Sequence, residues 1–218
     1  MTMQAIEKTT LSDKITRLLR ENIVSGQLPA GHQLKQEELS ERFGVSMSAL
    51  REALRTLSSD GLVTMMPNRG AQVSDLSAEE ATDIFDIRKF LEIGALELAI
   101  PNLSEKNLSS AEKTIAKIDA VRDASKLSAL NRQFHDAIYM ASGRPKLITM
   151  INNMHDNVAR YLCLYLDTLN FQADSQMEHR ELLEACRRRD IEEARHILRK
   201  HLSHAREQLV QYLNGRDK

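Results

Sequence analysis

The stretch from Leu34 to Gly70 constrains this chain most. Two short helical patterns flank the turn Gly44, Val45, Ser46. The first runs from Glu38 to Phe43. The second runs from Ser46 to about Ser58 and keeps Leu50, Ala53, Leu54 and Leu57 on one face. Ser46 suits the start of that helix, because its side-chain oxygen accepts a backbone N–H that the helix itself leaves unpaired. Two short segments, Leu62 to Met65 and Gly70 to Val73, then bracket Pro67, Asn68 and Arg69, the pattern of two strands and a tip. Helix, tight turn, helix and hairpin in this order predict a winged helix-turn-helix, whose second helix enters the DNA major groove.

Before this stretch, Leu11, Ile15, Leu18, Leu19 and Ile23 have helical spacing, which Gly26 ends, and Pro29 to Gly31 make a turn. A change of pattern comes near Asp75. Ser77 with Glu80 forms a capping box, and from there six helices and no strands are expected, over roughly 77–100, 104–122, 124–142, 145–170, 173–189 and 190–213. Asp190 with Glu193 forms a second box. The expected architecture is mainly α: a winged helix-turn-helix over residues 1–75, then an all-α six-helix bundle over 76–218. Aromatic residues make up only 4% and glycine and proline are scarce, which fits helices better than a large sheet.

No apolar run approaches the ~20 residues needed to cross a bilayer, and no signal-peptide pattern opens the chain. The expectation is a cytoplasmic protein without membrane contact. Cys163 and Cys186 are too few for a disulfide framework and lack metal-motif spacing, so buried free thiols are expected. A net charge of −1 argues against a uniformly basic coat, but it leaves room for a local basic face that a dimer presents twice.

On the second helix of the motif, Ser46, Ser48, Arg51 and Arg55 occupy the part that meets DNA. Arg51 lies opposite Leu50 and Leu54. An arginine there either forks onto guanine O6 and N7, binds a phosphate, or is simply a surface arginine. Lys35 is a candidate phosphate contact. Arg69 at the tip is a candidate for the minor groove, and Gly70 serves the tight turn beside it.

These residues carry a resemblance. Ile15 to Val73 resembles the winged helix-turn-helix of GntR-type transcription regulators. The match runs through Gly26, Leu28 to Gly31, Leu34, Leu39, Ser40, Gly44 to Ser46, Leu50 to Leu54, Leu57, Gly61 to Val63, Arg69 and Gly70. Two positions depart from the pattern. Met47 stands directly after the turn serine where the family usually has arginine, and Glu37 stands where arginine is frequent. Met47 keeps the ability to touch a thymine methyl but gives up a charged contact.

In the second unit, Asn131 and His135 are four apart on one helix face, His179 opens a later helix, and His201 lies late in the last. An amide oxygen and three imidazoles would suit a borderline divalent metal if they converged. Read alone, seven histidines in a helical protein scatter, and core or surface histidines are the plainer reading. The unit also resembles the ligand-binding (FCD) domain of the FadR branch of these regulators, in its six-helix VanR-like variety. The matching pieces are Ile87 to Glu92, Phe134 to Ile138, Ala141 to Gly143, Glu178 to Leu183, Asp190 to Ala194, and His201 with Leu202. The resemblance implies a metal set of one Asp and three His, falling here on Asn131, His135, His179 and His201. Zinc or nickel is the implied ion, weakened by Asn131 in the Asp position. It also places Arg88 as an arginine that projects toward a bound effector. The residues leave two readings of Arg88 open: a bidentate partner for a small carboxylate, or a salt bridge to Glu92 one turn on.

The expectation is therefore an effector-responsive transcription regulator, a homodimer on a near-palindromic double-stranded operator. A small carboxylate, with or without a divalent metal, would bind in the helical domain. A zinc hydrolase and a ligand-free structural DNA-binding protein are the competing readings. The first lacks a placed general base and leaves the DNA-reading unit without a purpose.

Overall fold

A computed structural model describes residues 10–66, 70–121, 124–166 and 171–216. The tip residue Arg69 and the side chain of Cys163 lie outside the described residues. The chain divides into two compact units, Met1–Asp75 and Leu76–Lys218.

In the first unit, α1 (Leu11–Val24) begins at a reciprocal cap: Asp13 N–H donates to Thr10 Oγ1, and Thr10 N–H donates to Asp13 Oδ2. Its buried face is Ile15, Leu19 and Ile23. α2 (Gln36–Phe43) stops at Gly44, whose φ of 62° is the left-handed conformation that glycine adopts without strain. α3 (Met47–Ser59) starts at Ser46, whose hydroxyl accepts the Ala49 N–H at 3.3 Å. Leu50, Ala53, Leu54 and Leu57 are fully buried against α1. Fully burying each such leucine contributes about 1.5–3 kcal/mol, so the core locks the helix pair that the turn aims.

The two expected strands are β2 (Val63–Met66) and β3 (Gly70–Val73), antiparallel, with Val63 opposite Val73 and Met66 opposite Gly70. The sheet has a third strand that the sequence pattern did not reveal. β1 (Gln33–Leu34) pairs with β3, giving the order β1-β3-β2. Two residues carry no periodicity. What holds them is the burial of Leu34 and the pairing of Gln33 with Gln72.

The second unit contains six α-helices among the described residues, as expected. They are α4 (Ala78–Ala99), α5 (Glu105–Ala120), α6 (Ala124–Tyr139), α7 (Pro145–Leu166), α8 (Phe171–Arg187) and α9 (Ile191–Arg216). Short 3-10 turns, Ile100–Asn102 and Met140–Ser142, follow α4 and α6. The Ser77–Glu80 capping box is present, and Glu193 N–H donates to Asp190 Oδ1 at 3.1 Å. α4 is the central helix: it packs on α6, α7 and α9. Its buried stripe is Ala81, Phe85, Arg88, Glu92, Ala95, Leu96 and Ala99, at helical spacing. Arg88 and Glu92 thus fall on the core face of a core helix, where a charge must find a partner.

Candidate metal centre and nucleic-acid interface

The helix-turn-helix puts Ser46, Ser48, Arg51 and Arg55 on exposed positions at the start and outer face of α3. Ser46 is occupied as the cap, and its hydroxyl lies 3.0 Å from that of Ser48. Arg51 shares an open groove of about 480 Å³ with Lys35, Glu37, Met47 and Gly70, so three of the expected DNA-contacting positions meet there. Ser46, Ser48 and Arg55 lie outside it. Lys35 donates to Glu38 at 2.7 Å, but both side chains are exposed. Such a solvated pair is worth little and would yield to a phosphate. Gly70 has φ +83°, the left-handed backbone the strand start requires. The sequence did not point to Gln36. Its Oε1 accepts from Arg51 Nε at 3.1 Å, across fifteen residues and the turn.

In the helical unit, α6, α8 and α9 bring His135, His179 and His201 together, all three buried, with ligand nitrogens within 4.8 Å of one another. The ring centroids of His179 and His201 are 4.8 Å apart, and His135 lies 5.2 and 5.3 Å from the other two. The outward nitrogen of each ring is held. His179 Nδ1 is 2.8 Å from Gln176 Oε1. The amide of Gln176 is oriented, because its nitrogen donates to Asp119 Oδ1 and the Ile115 carbonyl. Gln176 therefore presents an acceptor, and His179 Nδ1 carries the proton. His201 Nδ1 donates to Glu178 Oε2 at 3.0 Å. Tyr139 has one hydroxyl proton, which it donates to Glu92 Oε2 at 2.9 Å, so its oxygen accepts from His135 Nδ1 at 3.3 Å.

This network puts hydrogen on Nδ1 in all three rings and turns Nε2 of His135 and His179 to the inside. The buried Nε2 atoms of His135 and His179 have no hydrogen-bond partner. Leaving a buried acceptor unpaired costs about 1–3 kcal/mol. Two lone pairs facing one another satisfy neither, whereas a cation held with His201 would satisfy both. Outer carboxylates, amides and hydroxyls on the far ring nitrogen are the usual support of a metal-binding imidazole. The residues present therefore fit a divalent ion. Burial holds His135 and His179 well below the ordinary histidine range, and the neighbouring histidines add to the shift. Both rings are thus neutral and ready to bind metal. Asn131 lies one turn before His135 on α6 and is half-buried.

Arg88 forms the salt bridge. Its Nε donates to Glu92 Oε1 at 2.8 Å, with both side chains buried, and its guanidinium lies over the Phe85 ring. His155 Nε2 stands 3.1 Å from the same carboxylate oxygen. Burial pushes the Glu92 carboxyl up, but Arg88 and His155 outweigh it and hold Glu92 well below the usual carboxylate range. Glu178 ties a second set together: it accepts from His201 and, on its other oxygen, lies 2.8 Å from His204 Nδ1.

Tyr139, His155, Gln176 and Glu178 escaped the sequence reading as site residues, and Glu92 entered it only as a salt-bridge partner of Arg88. A signal existed for two of them. Tyr139 is four residues after His135 and Gln176 three before His179, so each shares its histidine's helix face. Cys186 is a buried free thiol whose pKa burial pushes up to about 12, so it takes no part.

The FCD domain model matches residues 83–204, and the model for bacterial regulatory proteins of the gntR family matches residues 11–73. This chain belongs to the FCD-domain regulators of the gntR family. The HTH-type transcriptional repressor GlaR of Escherichia coli (strain K12) is 28% identical over 197 residues, spanning 85% of this chain and 90% of its own. The HTH-type transcriptional regulator McbR of the same strain is 28% identical over 200 residues, spanning 88% of this chain and 90% of its own. The solved structure of E. coli McbR/YncC superimposes with a TM-score of 0.80 at 25% identity, covering 94% of this chain and 99% of that one. A GntR family member from Pseudomonas syringae pv. tomato str. DC3000 is 32% identical, with a TM-score of 0.62 over 94% of this chain and 87% of that one. The FCD-domain family and these relatives are transcription regulators and not enzymes, which removes the hydrolase reading. In this regulator the FCD match contains the whole histidine cluster, and the gntR match contains α1 to β3. No described helix is long and apolar enough to cross a membrane.

Proposed function

We propose that this regulator is a cytoplasmic, effector-responsive homodimer that binds a near-palindromic operator. In this reading His135, His179 and His201 hold a zinc or nickel ion, with the Asn131 oxygen as a fourth ligand. A small carboxylate effector completes the ion's coordination. The observation that carries the ligand reading is the pair of buried, partnerless Nε2 atoms on His135 and His179. Bound metal would fix the geometry of the bundle and supply a positive charge for the carboxylate. Asn131 leaves the ion one negative charge short of an Asp site. Glu178, bonded to His201, returns part of it from one bond further out.

Arg88 acts in this proposal first as a support. Its guanidinium keeps Glu92 charged, and Glu92 orients Tyr139 and through it His135. A direct bond from Arg88 to the effector would have to compete with the 2.8 Å pair to Glu92.

Dimerisation is supported by the other face of α4. Ile87, Phe90 and Leu98 are 45%, 80% and 41% exposed on a helix whose opposite face is core. Exposed apolar groups at this spacing suit a second copy of the same helix around a two-fold axis. Two recognition helices would then meet two half-sites.

Thermal melting of the metal-free full chain tests the ligand reading. Zinc or nickel at about a hundred times its dissociation constant should stabilise the protein by about 2.7 kcal/mol, and a small di- or tricarboxylate should add to the shift only when metal is present. His179→Ala should remove both effects. Equal melting curves with and without every divalent ion would refute the metal, and with it the proposed route to the effector.

A further inference from the structure

We propose that Gln36 determines the base preference of this regulator by fixing how Arg51 meets the DNA. The inference rests on the DNA-reading role of α3. It starts from one contact: Gln36 Oε1 accepts from Arg51 Nε at 3.1 Å, on the groove that Arg51 shares with Met47 and Gly70. Gln36 is the first residue of α2, so its backbone is set by the helix, and its side chain is half-buried. It packs beside the start of β3, where a Cβ built on Gly70 would sit 3.9 Å from Gln36 Nε2 and 3.5 Å from the Leu34 carbonyl. Gln36 thus stands at the start of α2, with its amide oxygen on Arg51 Nε.

The consequences for Arg51 are geometric and electrostatic. A free arginine samples many rotamers and meets whichever acceptor is nearest, most often a phosphate. Anchoring Nε removes that edge of the guanidinium from play. What remains is the end-on fork of the two terminal nitrogens, which matches O6 and N7 of guanine. The anchor is an amide and not a carboxylate, so the full positive charge of Arg51 stays available. A glutamate at position 36 would neutralise Arg51. It would also add a third negative charge beside Glu37 and Glu38, which already line the groove and repel phosphate. Met47 on the same groove offers an apolar surface to a thymine methyl and no competing charge. Gln36 is in this sense a positioning residue. It acts through Arg51 and touches sequence preference, not affinity in general.

The test is selection of duplexes from a random library by the full-length chain, in parallel for wild type, Arg51→Ala, Gln36→Ala and Gln36→Glu, with a melting curve for each. The wild type should select a motif with a guanine in each half-site, and Arg51→Ala should lose the preference for that guanine. Gln36→Ala should still bind and melt as wild type does, yet lose at least about fivefold of the preference at that one base pair. Gln36→Glu should weaken binding to every duplex. If Gln36→Ala selects the same motif with the same preference, the assignment of Gln36 is overturned while the DNA-reading role stands. If Gln36→Ala blurs all positions alike and melts lower, the contact is merely structural and the assignment is likewise overturned. If the wild type selects no motif at all, the DNA-reading role falls, and this inference with it.

Discussion

Arg51 and Arg88 are each held at Nε by a side-chain oxygen, and the two contacts do opposite things. Arg51 is exposed and held by an amide at 3.1 Å, and Arg88 is buried and held by a carboxylate at 2.8 Å. The amide steers Arg51 and leaves its charge for a partner outside the chain. The carboxylate cancels the charge of Arg88 inside the bundle, where an unpaired ion would cost several kcal/mol. The lesson is that the partner's charge, more than the presence of a hydrogen bond, says whether an arginine is offered to a ligand or spent on the fold. Applied to the helical unit, it favours the proposed ion site over Arg88 as the anchor for an effector, because Nε2 of His135 and Nε2 of His179 are left without partners.

The sharpest way to break this contrast is to remove each anchor. Glu92→Ala leaves Arg88 buried and uncompensated and takes the acceptor from Tyr139, and it should destabilise the fold by about 3–5 kcal/mol in urea unfolding. A loss below about 1 kcal/mol would mean that the pair is not the structural element described here.

Mild acid should act on the helical unit through its buried histidines. Above about pH 6.5, the ordinary histidine value, His135 and His179 are neutral in both folded and unfolded chains, and the stability they contribute is fully present. Their folded values are depressed, so as the pH falls below that point the unfolded chain takes up protons that the folded site refuses. Stability should then drop, by about 1.4 kcal/mol per pH unit for each proton, in metal-free protein followed by urea unfolding between pH 7 and pH 5. A flat profile over that window would contradict the buried neutral rings.

On the DNA side, Arg51→Ala should weaken binding to a selected duplex by about 1–3 kcal/mol in a mobility-shift titration, with no change in melting. Unchanged affinity would return Arg51 to the status of a surface arginine. The smallest expected effect completes the contrast. Gln36→Ala should alter unfolding free energy by no more than about 0.5 kcal/mol, although it removes the same kind of contact as Glu92→Ala, because its site is open to water.

The readable parts of this chain were those whose causes are local. Gly44 and Ser46 announce the turn because a left-handed residue and a cap are needed at those two places. Ser77 and Glu80 announce the start of α4 for the same reason. The α4 pattern also brought Arg88 and Glu92 within reach of one another, one turn apart, though not the choice between pair and ligand. What remained hidden depends on tertiary contact. β1 is two residues long and exists because β3 lies beside it. Tyr139 joins Glu92 to His135 across 47 residues, and Gln36 reaches Arg51 across a turn. No period in the sequence encodes such meetings. The three histidines were marked by family resemblance, and only the packing of α6, α8 and α9 turned them into a cluster.

The histidine cluster is the centre of this account, and calorimetric titration of the metal-free full chain with zinc and nickel tests it most directly. The prediction is one ion per chain for the wild type, tighter binding for Asn131→Asp because a carboxylate adds charge where the amide has none, and no binding for His135→Ala. No heat of binding at millimolar metal in both the wild type and Asn131→Asp would contradict it.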